Sequence, residues 1–193
     1  MRLNDESGSV FGPAFQIFSM NVSIFDLFSI GIGPSSSHTV GPMKAARDFA
    51  TRAAQESREG AVAQIRCDLY GSLAATGKGH GTDRALVLGL MGESPEAVNI
   101  STIEERLAEV KATQALVLDG GLKVAFNPDL DLDFKRLQPL PRHPNGMHFQ
   151  ALSAAGNLVL EEIYYSLGGG FIATEADLEA PQLEMQTVAL PHP

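Results

Sequence analysis

The chain has 193 residues, 44% hydrophobic and 19% charged, the balance of a globular protein long enough to enclose a core. Its 14 basic and 23 acidic residues leave a net charge of −9, which, with no basic stripe anywhere, argues against a nucleic-acid backbone as partner. The single cysteine, Cys67, excludes an internal disulfide framework and any all-cysteine metal or iron–sulfur site built by this chain alone.

Residues 1–19 show no clean period and are expected to be an extension, with Met20 able to serve as a second start. Ile24, Leu27, Phe28 and Ile30 form an apolar patch too brief to assign a period. No apolar run reaches membrane-spanning length, and the acidic start is unlike a signal peptide. With one cysteine, the chain is expected to be cytoplasmic and to have no membrane partner.

Gly33-Pro34-Ser35-Ser36-Ser37-His38-Thr39 comes next. Met43, Ala46, Phe49, Ala50 and Ala53 then recur at helical spacing, so a helix is predicted to open between Thr39 and Pro42. Three serines, a histidine and a threonine at a helix N-terminus suit a carboxylate or phosphate. Plain N-capping needs one hydroxyl and leaves the other hydroxyls and the histidine unexplained.

Ala63–Tyr70 alternates with Ile65, Cys67 and Leu69 on one face, a half-buried strand in which Cys67 acts as a small hydrophobe. Gly71–Asp83 (GSLAATGKGHGTD) follows, with four glycines around Lys78 and His80. Glycine this dense suggests a backbone that approaches a ligand closely, one wall of a small-molecule site. It is not a Walker A loop. Five residues separate Gly71 from Gly77, and Gly79 follows Lys78 where a hydroxyl would bind magnesium. Thr82 is expected to cap a short, mostly buried helix ending near Gly92, with Gly89 a close-packing position.

Ser101 or Thr102 is expected to open a helix with Glu104 or Glu105 in a capping box. Strands are predicted at Ala115–Leu118 and Lys123–Phe126 around Asp119-Gly120-Gly121. Asn127–Phe134 alternates acid and apolar, an edge strand or its approach. A calcium loop from Asp129 is disfavoured by Phe134 and Leu140 at its glycine and glutamate positions. Pro139–Gly146 is a stiff loop carrying His143 and Asn145. Met147–Ala154 and Asn157–Ser166 form a hairpin, Gly168-Gly169-Gly170 breaks it, and residues 174–193 are expected to be a linker or tail.

SIFDLFSIGIGPSSSHTVGPM, GSLAATGKGHGTD, HPNGM and YYSLGGGFI, in this order, resemble the N-terminal or β domain of the bacterial iron–sulfur L-serine dehydratases, over residues 20–173. The resemblance implies an α+β fold, a mixed sheet with packed helices, similar to the allosteric substrate-binding domain of some 3-phosphoglycerate dehydrogenases. It implies deamination of L-serine to pyruvate and ammonia by a homodimer. A 4Fe–4S cluster would be held by the cysteines of a separate catalytic α domain. With nothing ACT-like after the glycine run, the segment looks like the β part of a single-chain enzyme, inactive alone. The resemblance points to His80 as general base with Lys78 beside it, His38 being the rival. It assigns Ser35, Ser36, Ser37, His38, Thr39, Ser72 and Thr76 to substrate contacts, and places His143 and Asn145 at the same interface. A regulatory module that binds serine or an anion without chemistry is the competing class.

Overall fold

The computed structural model describes residues 32–57 and 61–179. The extension at residues 1–19, the apolar patch at Ile24–Ile30 and the tail beyond Glu179 lie outside the described residues. The fold is α+β, built on a seven-stranded mixed sheet.

Strand β1 (Gln64–Tyr70) is its hub. Ile65, Cys67 and Leu69 are buried on one side, as the alternation predicts. The other strands are β2 (Ala115–Val117), β3 (Lys123–Ala125), β4 (Leu132–Lys135), β5 (Gly146–Leu152), β6 (Leu158–Gly168) and β7 (Phe171–Thr174). Their order is β2-β3-β1-β5-β6-β7, with β4 also beside β1. The β1–β3 and β1–β4 pairings are parallel and the others antiparallel.

Helix α1 (Val40–Glu56) buries Met43, Ala46, Phe49, Ala50 and Ala53, the stripe read from its period. The Phe49 ring stacks on Phe149 of β5 at 5.2 Å, and Phe149 meets Tyr164 of β6 edge-on at 5.7 Å. Above this pair, the Tyr164 phenol donates to the Asp48 carboxylate at 2.5 Å, tying α1 to the sheet. Helix α3 (Thr82–Leu90) packs against α1, where a Cβ on Gly89 would stand 2.2 Å from the Met43 carbonyl oxygen. Gly89 is therefore the close-packing position expected. Cys67 is fully buried, and burial holds its thiol well above the ordinary range. Among the described residues no helix is long and apolar enough to cross a membrane.

Four local expectations need correction. Gly71–His80 is helix α2, not an open glycine wall. Leu73, Ala74 and Gly77 give it a buried face, and a Cβ on Gly77 would stand 2.9 Å from Thr82 Oγ1. That glycine accommodates a neighbouring helix rather than a ligand. Thr82 does not cap α3. Gly81 holds the cap position at φ 79°, and the Thr82 hydroxyl donates to the His38 carbonyl at 2.7 Å. Helix α4 (Ile103–Thr113) is entered through a 3-10 turn at Ile100–Thr102, capped by the Asn99 side chain rather than by a Ser/Thr–Glu box. Past the Ala173 boundary expected from sequence, Glu175–Glu179 forms helix α5. There Glu175 accepts from Tyr165 at 2.5 Å and from Arg142 at 2.6 Å.

The acidic stretch before β4 serves the fold. The Asp131 carboxylate accepts from the Gln64 side chain and from the Asn127 N–H, both at 2.7 Å.

Candidate functional site

The Gly33–Thr39 segment folds as a turn that closes onto α1. The Ser35 carbonyl accepts from the His38 N–H, the Thr39 N–H and the Thr39 hydroxyl, at 3.1, 2.9 and 2.7 Å. The Ser36 carbonyl accepts from Gly41 at 3.0 Å. No side chain caps α1 in the usual way, since the Thr39 hydroxyl turns back to Ser35. The hydroxyls of Ser35 and Ser37 face His38 instead.

His38 is the centre of the cluster. Its Nδ1 lies 2.9 Å from Ser37 Oγ and 3.3 Å from Ser35 Oγ. Its Nε2 lies 3.0 Å from Thr76 Oγ1 and 3.3 Å from Ser72 Oγ. These last two hydroxyls come from successive turns of α2, four residues apart and so on one face. The turn before α1 and the exposed face of α2 thus enclose one imidazole in four hydroxyls. Burial, then the charge of His80, lowers the His38 pKa below its ordinary 6.5.

His80, at the end of α2, places its ring 5.0 Å from that of His38. Its Nδ1 is 2.9 Å from the Thr76 carbonyl oxygen. A carbonyl only accepts, so Nδ1 carries the proton, and the neutral ring keeps its lone pair on Nε2. His80 borders a cavity of about 330 Å³. Lys78, Gly79, Gly81 and Arg84 also line it, and Ile32, Leu88 and Ile103 form an apolar wall. Lys78 shares that cavity, but its Nζ lies 5.1 Å from the Phe134 ring centroid, a cation over an aromatic face.

The second part of the site is the loop before β5. The Ser72 N–H donates to the Pro144 carbonyl at 2.8 Å, joining this loop to α2. The Asn145 N–H donates to His143 Nδ1 at 3.1 Å, and Asn145 Nδ2 donates to the Ser166 carbonyl at 3.2 Å. Burial lowers the His143 pKa as well.

Ser35, Ser37, His38, Ser72, Thr76 and His80 are thus one cluster, with His143 and Asn145 attached through Pro144. Ser36 enters through its carbonyl, and Thr39 through its bond to Ser35. Arg84 and Ser166 belong to the surroundings without having been singled out, and Thr82 joins them although it was expected only as a cap. Thr82 and Arg84 follow directly on GKGHG and Ser166 stands in YYSLGGG, but no periodicity distinguishes them from ordinary helix and strand positions.

The buried imidazole of His38 and the half-buried one of His143 set an acid limit on stability. Unfolded histidines take a proton near pH 6.5, whereas folded His38 and His143 resist it. Below that pH the unfolded state binds more protons, so stability falls with pH until the folded imidazoles titrate. Above it the contribution is fully present. The melting temperature of the chain is expected to drop as pH goes from 7 toward 5, and His38→Asn to flatten that slope. A slope unchanged by the substitution would contradict the assignment.

A family profile described as serine dehydratase beta chain matches residues 23–177. An L-serine dehydratase of Streptomyces coelicolor is 47% identical over 174 residues, 90% of this chain and 38% of the relative. One from Mycobacterium bovis is 45% identical, over 90% of this chain and 37% of its own length. L-serine dehydratase 1 of Escherichia coli is 40% identical, over 89% and 37%. The chain therefore spans little more than a third of the length of these relatives.

Proposed function

The chain belongs to the serine dehydratase beta chain family, and on that premise we propose that it is the substrate-handling part of an L-serine dehydratase completed by a separate catalytic domain. The observation that carries this is the His38–His80 pair, one ring held among four hydroxyls and the other hydrogen-bonded through Nδ1 and bordering a cavity.

In this reading the hydroxyls of Ser35, Ser37, Ser72 and Thr76 and the first turn of α1 receive the polar groups of L-serine. His80 Nε2 takes the Cα proton. The C–H electron pair forms the Cα=Cβ bond as the Cβ–O bond breaks, and the departing hydroxide takes up the proton that His80 removed from Cα and leaves as water. The enamine tautomerises to an imine, and hydrolysis gives pyruvate and ammonia. What assists departure of the hydroxyl lies outside this chain.

The residues present do not fit a cysteine-ligated cluster, because Cys67 is the only cysteine and is buried in β1. A 4Fe–4S cluster would have to be held by cysteines of the partner domain, and no step here runs through it.

Mixing the chain anaerobically with a cysteine-bearing catalytic domain is the test. Pyruvate is expected from L-serine on mixing and from neither part alone. Serine binding by the chain with no activity on mixing would replace the lyase reading with that of a serine sensor. The His38 hydroxyl cage, complete within this chain, is the feature favouring a sensor.

A further inference from the structure

Helix α5 has five residues, too few to be stable by itself. It is fixed by a reciprocal cap and by packing on β6 and β7. The Thr174 N–H and hydroxyl both donate to the Asp177 carboxylate at 2.8 Å, and the Asp177 N–H donates to Thr174 Oγ1 at 3.2 Å. The acids that α5 carries are therefore held in place.

Two of them share one cation. Arg142, in the loop before β5, donates through Nε to Glu175 Oε1 at 2.6 Å and through Nη2 to Glu179 Oε1 at 2.5 Å. The second Glu175 oxygen, Oε2, accepts from the Tyr165 phenol at 2.5 Å. Tyr165 is fully buried in β6, opposite Gly146 at the end of the same loop. The Tyr165 bond, then Arg142, holds the Glu175 carboxyl below the ordinary carboxylate range. An isolated surface ion pair contributes little. Here a guanidinium bridges two carboxylates, and one of these is anchored on a buried phenol.

The loop that Arg142 belongs to is joined to its surroundings by single backbone bonds. Gly71 donates to the Gln138 carbonyl at 3.3 Å, Ser72 to the Pro144 carbonyl at 2.8 Å and Ser166 to the Asn145 carbonyl at 3.0 Å. Pro139, Pro141 and Pro144 have no N–H to add to these. Ser72 Oγ in turn lies 3.3 Å from His38 Nε2, so a shift of the loop reaches the histidine cluster through Ser72.

We propose that Glu175 is a positioning residue, and that Glu175, Arg142 and Tyr165 form a strap by which α5 seats the loop before β5 against α2 and so fixes Ser72 beside His38. None of the three residues belongs to the His38 cluster. The consequence for serine handling rests on the function proposed above, whereas the seating of the loop does not.

The test is residue-resolved amide hydrogen exchange on the chain itself. Glu175→Gln keeps the side-chain shape and removes the charge. Hydrogen bonds to a charged group are worth about a factor of ten in an equilibrium, so the Ser72 and Ser166 N–H groups are expected to exchange about tenfold faster. They should do so through a local opening, whose rate changes little in low urea, while global unfolding rises steeply with urea. The Cys67 N–H, which donates to the Asp131 carbonyl at 2.8 Å in the sheet, reports the global process. Arg142→Met is expected to match Glu175→Gln. Arg142→Lys keeps the charge without bridging both carboxylates and should fall between it and the unaltered chain. Unchanged Ser72 and Ser166 rates would overturn the proposal. So would rates that rise only in step with Cys67 and with its urea dependence, since the strap would then serve global stability alone. In the mixed complex, Glu175→Gln is expected to raise KM for L-serine at least about twofold with kcat kept, because serine meets fewer chains with the loop seated. An unchanged KM, or a loss confined to kcat, would overturn the positioning role. Absence of pyruvate from the unaltered mixture would instead count against the lyase reading, and the exchange result would stand apart from it.

Discussion

In an active complex of this chain with the catalytic domain proposed for it, His80→Ala is expected to lower turnover by about 10²–10⁴-fold, the usual contribution of a positioned general base. At 1.36 kcal/mol per factor of ten, this is roughly 3–5 kcal/mol of transition-state stabilisation. The two histidines differ in which nitrogen is available. The Thr76 carbonyl holds Nδ1–H at 2.9 Å, leaving Nε2 free, whereas both nitrogens of His38 already face hydroxyls within 3.3 Å. His38→Asn should therefore raise KM more than it lowers kcat, because it disperses the hydroxyls proposed to receive the substrate. His80→Ala should do the reverse and lower kcat with little change in KM. Near-normal turnover in His80→Ala would remove His80 from the base role and leave His38 to be tested in its place.

The difference between the two histidines could not be seen in the chain order. Flanking glycines drew attention to His80, and a run of hydroxyls drew attention to His38, both through local composition. What separates them is tertiary. α2 folds back so that Ser72 and Thr76, 34 and 38 residues away in sequence, reach the far nitrogen of His38. The β1 alternation, the α1 stripe and the β5–β6 hairpin were legible because each follows from a single period and a buried face. The strap on Arg142 was not, because its partners come from β6 and α5, the furthest of them 37 residues along the chain. The cap expected at Thr82 fails for a related reason, because its hydroxyl is spent on the His38 carbonyl in the turn before α1.

The glycine stretch gives the sharpest case of a local signal with a non-local cause, and it predicts opposite outcomes within nine residues. Gly71 stands between β1 and α2 at φ 55°, and a Cβ there would lie 2.2 Å from the Pro144 carbonyl oxygen. The positive φ alone costs an alanine about 1–2 kcal/mol. A methyl group driven into a backbone carbonyl adds about 1–3 kcal/mol, the range for overpacking. Gly71→Ala is thus expected to destabilise the chain by roughly 2–5 kcal/mol. For a chain of this size that lowers the melting temperature by roughly 5–15 °C. The displaced Pro144 carbonyl also holds the Ser72 N–H, so the hydroxyl beside His38 Nε2 should move and serine binding weaken with stability. Gly79 is the control. It lies inside α2, with nothing within 4 Å of the position a Cβ would take. Gly79→Ala should hold or raise the melting temperature, since alanine is favoured over glycine in a helix by about 1 kcal/mol. Equal losses in the two variants would mean that the stretch is conformationally open along its length, as its composition first suggests. Opposite signs would mean that Gly71 is kept for a carbonyl of the chain itself, and that the stretch faces a ligand through the side chains of Ser72, Thr76 and His80.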